Sequence, residues 1–313
     1  MTGLRHLGAF YRDDEDLVRT SVGFLTDAMA ADEPVLVVLR PRHQRLVQER
    51  LTALAPFRTR SRLVFRGAGG ISARPAQAMA GYRDMAAAHP SGRVRVLAEP
   101  DRRVDHCAWR LREWIRFEAA VNALMDDVPV TLLCLAGHDA APATAQGMRW
   151  THPGLLDSSG ESPNRDYRSA ALVDSGCDLQ LGLPVPDRAE VFVPEGTDPA
   201  PLRARALRAA ERAGLSPADR MRLLTVVTEL FTNAVLHGEP PITCALWTQG
   251  PSVVCQLTDT GDWPDAAFLG LTPPNPPHTS TLGLWAVRAL CPQLQSHTSP
   301  TATILRVTVE PTT

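Results

Sequence analysis

The chain has 313 residues, of which 44% are hydrophobic, 21% charged and 5% aromatic. At roughly 100–200 residues per domain, that length holds two ordinary domains. A formal net charge of −2 argues against a direct electrostatic grip on nucleic acid. All 32 basic residues are arginine, which excludes a Schiff-base lysine, pyridoxal-phosphate chemistry, a GxxxxGK phosphate loop and a VAIK-type protein kinase.

The acidic run 13–16 stands where a signal peptide would need an apolar core, and stretches such as 35–39 are too short to span a bilayer. A cytoplasmic protein without a membrane segment is expected. The six cysteines are scattered without a CxxC pair. That spacing suits neither a zinc site nor a secreted disulfide framework, so they read mostly as small core residues. The adjacent pair His106–Cys107 reads as part of a helix face.

Taken in order, the first half predicts a helix over 13–30, a strand over 34–39, a helix over 41–54 and a strand over 62–65. A helix over 75–88, a strand over 93–98, a helix over 105–125 and a strand over 130–135 follow. Short apolar strands between amphipathic helices indicate an α/β domain, a parallel sheet with helices on both faces. Ligands of such sheets gather at the C-terminal strand ends, which here carry 66–70, Glu99 and His138. The glycine-rich turn 67–70 lacks the full GxGxxG pattern and reads first as an ordinary tight turn.

From 154 to 186 the chain turns polar. Residues 158–163 read as an exposed loop, and Pro184 and Pro186 as linker punctuation. The expected domains are 1–184 and 185–313.

The second half opens with a strand over 190–193. Asp198 as N-cap and Pro199 as first helical residue start a helix that ends at a C′ glycine, Gly214. Ser216, with Asp219 in the capping-box position, opens a second helix whose Leu223, Val227, Leu230 and Ala234 recur at helical spacing. Strands over 242–247 and 253–258, a proline-laden loop over 262–281, a helix over 284–290 and a strand over 303–309 complete an α+β sandwich.

Three fragments of this half carry chemistry. Glu229 and Asn233 share a helix face and could bridge Mg²⁺ and phosphate, although an acid and an amide so spaced are also an ordinary solvated face. Asp259, with Gly261 two residues on, ends a strand. There a carboxylate can accept an exocyclic amine, although Asp-x-Gly is also a common turn. Thr281-Leu282-Gly283-Leu284 opens a helix whose N–H groups favour phosphate.

In this order TELFTNAVLHG (228–238), DTGD (259–262) and LGLWAVRAL (282–290) resemble the N, G1 and G2 boxes of the GHKL (Bergerat) ATPase fold. Within it they resemble the anti-sigma-factor serine kinases of bacterial partner-switching systems. The resemblance covers roughly 187–313. It implies Glu229 as general base, Asn233 as Mg²⁺ ligand, Asp259 as adenine anchor, Gly261, Gly283 and Leu284 about an ATP pocket, and Thr303 near the adenine. A complete G1 box would have glycine at 263, where Trp stands, and a complete G2 box glycine at 281, where Thr stands. Each change adds a Cβ where backbone and nucleotide should nearly touch, so ATP-Mg²⁺ binding and phosphoryl transfer are expected to be weakened.

In the first half His6, Phe117-Glu118, Asn122, Cys134 and Thr151-His152-Pro153 resemble a MEDS sensory domain, over roughly 4–155. That family implies a RecA-like sheet without a phosphate loop, and sensing, with His6 and His152 as candidate sensory residues. His6 as a surface residue and His152 as a turn cap are the plainer alternatives. Together the two halves resemble regulators of the RsbA anti-sigma family. The partners so implied are a sigma factor, a STAS-domain antagonist phosphorylated on Ser or Thr, and a second copy of the chain. A non-catalytic module that sequesters its partner is the alternative. A two-component histidine kinase would need a phosphoacceptor hairpin, and the polar 160–190 region does not supply one.

Overall fold

A computed structural model describes residues 3–54, 63–67, 75–90, 92–173, 184–261, 263, 268–271, 283–291, 294–299 and 301–312. Contacts divide the chain into two units, Met1–Ser175 and Gly176–Thr313.

In the first unit the elements run β1 (Arg5–Tyr11), α1 (Asp14–Ala30), β2 (Val35–Leu39), α2 (Pro41–Leu54), β3 (Leu63–Gly67) and α3 (Pro75–Ala87). Then come β4 (Val94–Ala98), α4 (Ala108–Leu124), β5 (Val130–Gly137), α5 (Pro142–Thr151), β6 (Gly154–Asp157) and β7 (Gly160–Pro163). The strands form one sheet in the order β3-β2-β4-β5-β1-β6-β7, with β7 antiparallel to β6 and the other described pairs parallel. Period-two alternation sorts the faces. Leu7, Ala9 and Tyr11 of β1 pack with Leu17 and Leu25 of α1 and Val47 of α2, whereas His6 and Cys134 turn toward Glu118 of α4.

Several features of this unit differ from the sequence expectation. Strand β1 lies at the sheet centre between β5 and β6, although Arg5, His6 and Gly8 hide its apolar run. Gly8 fits closely there: a Cβ on it would lie 3.3 Å from His152 Cγ and 3.2 Å from Met148 Sδ. Helix α5 was not anticipated from its Ala- and Thr-rich sequence. The stretch read as an exposed loop pairs as the β6–β7 hairpin, and its polarity marked exposure of β7 rather than loop backbone. The helix expected over 105–125 is broken at Cys107, whose extended backbone separates a 3₁₀ turn, Arg102–His106, from α4. Residues 68–70 of the glycine-rich turn lie outside the described residues.

The second unit runs β8 (Glu190–Phe192), α6 (Ala200–Arg212), α7 (Pro217–His237), β9 (Thr243–Gln249), β10 (Ser252–Asp259), α8 (Gly283–Leu290), β11 (Leu294–Ser299) and β12 (Ala302–Val309). Its sheet, ordered β11-β12-β10-β9-β8, is antiparallel at every described pair. Edge strand β11, LQSHTS, was not anticipated, because a half-exposed edge needs little apolar sequence. Leu202, Leu223, Val227, Leu230 and Val287 from the three helices pack on Cys244, Cys255, Leu257, Leu305 and Val307 of the sheet. Gly214 takes φ +72 past α6, and the N–H of Leu215 returns to the Ala210 carbonyl at 3.0 Å. Ser216 caps α7, accepting from the Asp219 N–H at 3.1 Å. Among the described residues no helix is long and apolar enough to cross a membrane.

Candidate functional site

Helix α7 buries Leu223, Val226, Val227, Leu230, Phe231 and Ala234 in the core. Glu229 and Asn233 stand one turn apart beside that apolar stripe. Asn233 Nδ2 donates to the Glu229 carbonyl at 2.6 Å, which fixes the amide and turns its Oδ1 toward the start of α8. A Cβ on Gly283 would lie 3.6 Å from that oxygen, and Gly283 has φ +57, a region glycine alone adopts readily. The Gly283 N–H donates to Glu229 Oε2 at 3.1 Å. Burial raises the Glu229 pKa, and the Gly283 hydrogen bond opposes the rise.

Nine residues along from Glu229, roughly 13 Å at the helical rise, α7 ends at Gly238 against a second group. Asp259, at the end of β10, is 2% exposed and pairs across the ladder with Thr303 of β12. Its Oδ1 accepts from the Gly261 N–H at 2.8 Å and from the Trp263 indole Nε1 at 3.1 Å. The backbone of Glu239 also donates to the carboxylate, and burial nevertheless leaves its pKa raised. A Cβ on Gly238 would lie 2.6 Å from Asp259 Cγ, and one on Gly261 3.0 Å from Asp259 Oδ1. Both glycines are thus required by close backbone passage over the acid. Thr303 is buried and donates to the Gly261 carbonyl at 3.0 Å. Leu284 is a core residue. Asp262 and Thr281 lie outside the described residues.

In the first unit His6 and His152 are both buried, with ring centroids 4.1 Å apart. His6 is therefore not a surface residue. Glu99, at its strand end, is bound by His43 Nδ1 at 2.9 Å, by the Tyr11 hydroxyl at 2.8 Å and by the Arg40 guanidinium. Burial pushes the Glu99 pKa up, but bonds from His43 and Arg40 outweigh it and hold the group below its ordinary value.

Residues 5–153 match the family described as MEDS, the MEthanogen/methylotroph, DcmR Sensory domain. Residues 194–309 match the Histidine kinase-like ATPase domain. The chain joins a MEDS domain to a histidine kinase-like ATPase domain. No curated protein matches it. Among solved structures, the RsbU and RsbW domains of a Mycobacterium tuberculosis protein are 19% identical over 40% of this chain, with a TM-score of 0.30. The match spans about a third of that protein's chain, 33%.

The two groups differ in which of their polar atoms are already engaged. Around Gly283, the helix N-terminus, Glu229 and Asn233 offer groups suited to phosphate and its cation. At the other end the Asp259 acceptor is already engaged by the Trp263 indole, and the Thr303 hydroxyl by Gly261. Sequence reasoning placed Asp259, Gly261 and Thr303 but gave no part to Gly238. It took Trp263 only as a missing glycine. The signal for Gly238 was its place directly after α7, where the chain passes over the end of β10.

Proposed function

We propose that the protein is a signal-responsive regulator of the anti-sigma type, acting in the cytoplasm. Its ATPase domain binds a sigma factor or a STAS-type antagonist, and its MEDS domain sets when it does so. The support is the resemblance of the α7, β10 and α8 motifs to partner-switching kinases, on a matched ATPase domain. Nucleic acid and membrane are not proposed as partners. A second copy of the chain is.

The observation that favours plain binding over phosphoryl transfer is the Trp263 indole on Asp259. A domain whose Asp259 Oδ1 already accepts from its own side chain would hold its partner by surface contact, without a nucleotide. The second reading is a Ser/Thr kinase using ATP-Mg²⁺. It is favoured by the grouping of Glu229, Asn233 and Gly283. There Glu229 would be the base and Asn233 the Mg²⁺ ligand, and the bound nucleotide would supply the phosphoryl group.

The test mixes the full-length protein with a candidate sigma factor and a STAS antagonist, with and without radiolabelled ATP-Mg²⁺. Partner binding without nucleotide, and no label on the antagonist, is the expected result. Acid-stable label on an antagonist Ser or Thr would establish the kinase reading instead. A protein that binds neither partner would remove the anti-sigma assignment.

A further inference from the structure

Behind the central strands of the MEDS domain four side chains from four elements converge: His6 of β1, Glu118 of α4, Cys134 of β5 and His152, directly after α5. All four are buried, and one ligand atom of each lies within 4.8 Å of the others. Glu118 Oε2 is 3.2 Å from His6 Nε2 and 3.8 Å from His152 Nε2. Cys134 Sγ is 3.6 Å from His6 Nε2 and 3.7 Å from Glu118 Oε2. A tetrahedral ion with bonds of about 2.0–2.3 Å sets its ligand atoms roughly 3.3–3.6 Å apart. These four of the six edges bracket that range, and the other two are within 4.8 Å.

The ring protons are placed for a ligand role. Asn122 Nδ2 donates to the Glu118 and Thr151 carbonyls at 3.2 and 2.7 Å, so its Oδ1 is the acceptor 3.0 Å from His6 Nδ1. His152 Nδ1 lies 2.8 Å from the Met148 carbonyl oxygen. Each imidazole thus carries its proton on Nδ1 and, when neutral, turns an Nε2 lone pair toward the Glu118 carboxylate. His152 Nε2 is buried with no hydrogen-bond partner. The Cys134 thiol donates to Glu118 Oε2, so His152 Nε2 is the lone pair left unanswered, and a cation that displaces the thiol proton would be held by nitrogen, oxygen and sulfur together. Metal-bound histidines characteristically donate their second ring N–H to such outer partners. The second oxygen of Glu118 is likewise held, by the Trp114 indole at 2.8 Å.

We propose that His6, Glu118, Cys134 and His152 form a buried four-coordinate site for a divalent transition ion of the zinc class. Two imidazoles and a thiolate select against Mg²⁺ and Ca²⁺, which take hard oxygen ligands. One thiolate and one carboxylate neutralise a dication, so no net charge is left in the interior. Binding forms the metal–sulfur bond and releases the Cys134 thiol proton to solvent. A cleft of about 530 Å³ has His6, Asn122, Arg5 and Tyr167 in its wall, which puts it beside the His6 edge of the cluster. The site stands apart from the function proposed for the ATPase domain, and either can fail without the other.

The experiment strips the full-length protein with a chelator and titrates it with Co²⁺, then Zn²⁺. One ion per chain is expected, with the visible bands of tetrahedral Co²⁺ and a near-ultraviolet thiolate-to-cobalt band, both abolished by Zn²⁺. Cys134→Ser should lose the near-ultraviolet band, and Asn122→Ala should weaken binding by about 10- to 100-fold. Cys107→Ser, at a half-buried cysteine outside the cluster, should change nothing. Circular dichroism of each stripped variant reports its folding. Wild type that is folded and takes up neither ion overturns the proposal. So does a cobalt spectrum unchanged in folded Cys134→Ser.

Discussion

The indole N–H of Trp263 donates to Asp259 Oδ1 at 3.1 Å, so a side chain four residues downstream engages the acceptor that ends β10. Trp263 is itself buried, at 4% exposure, in the helix–sheet core. Any ligand amine seeking Asp259 competes with an intramolecular donor already in place.

Removing that donor should therefore raise affinity for adenine nucleotide. A hydrogen bond to a charged group is worth about 1.5–3 kcal/mol, which corresponds to roughly a 10- to 160-fold change in binding. Trp263→Ala also loses core burial of about 3–5 kcal/mol, so Trp263→Phe, which keeps the bulk and drops the N–H, is the companion variant. Calorimetric titration with ATP-Mg²⁺ should rank wild type weakest. Equal affinity in all three proteins would show that the indole is no competitor.

The glycines of the site should separate by cause in thermal unfolding. Gly238→Ala places a Cβ 2.6 Å from Asp259 Cγ and should cost about 1–3 kcal/mol. Gly283→Ala has space but sits at φ +57, and should cost about 1–2 kcal/mol. Gly23, inside α1 with nothing within 4 Å of a new Cβ, should gain about 0.5–1 kcal/mol on replacement by Ala. Tm values out of that order would contradict the contacts assigned at Gly238.

Much of the ATPase domain was legible because its signals are local. Ser216 and Asp219 announce α7, Gly214 ends α6, and the four-residue step from Glu229 to Asn233 places both on one face. The departures lie where tertiary context decides. The backbone of β1 reads as no strand because His6 and Gly8 serve the cluster behind it, not the apolar core. Cysteine spacing carries no trace of the buried cluster, since Cys134 gathers its neighbours from β1, α4 and the end of α5 rather than from its own loop. The part played by Trp263 could not be read from position alone. A missing glycine in a motif says what has been lost, not what the new side chain bonds.

Acid should weaken the MEDS domain through Glu99. Its folded-state pKa is held below the ordinary 4.5, against its own burial, by bonds from His43 and Arg40. A depressed carboxylate contributes stability above its unfolded pKa and loses it as pH falls through the folded one. Glu99→Gln should thus cost about 3 kcal/mol at pH 7, as expected when one partner of a buried pair is removed. The difference from wild type should narrow below about pH 4. Urea unfolding at the two pH values checks this, and a deficit that grows on acidification would reverse the sign of the argument.

Regulation of the ATPase domain by the MEDS domain can be tested without knowing the signal. The domain has its own core around Leu230, Phe231 and Leu257, so residues 187–313 are expected to fold alone. Coupling between sites is typically about 1–3 kcal/mol, which moves affinity roughly 5- to 150-fold. Such a shift arises only if a bound signal favours one arrangement of the protein over another. Partner binding by the full-length chain and by 187–313 should therefore differ by a factor in that range, in either direction. Equal affinity, together with an equal response to ATP-Mg²⁺, would reduce the MEDS domain to a docking or localisation module. If the difference appears only after Zn²⁺ is added to chelator-stripped full-length protein, the signal and the His6–Glu118–Cys134–His152 cluster are one and the same.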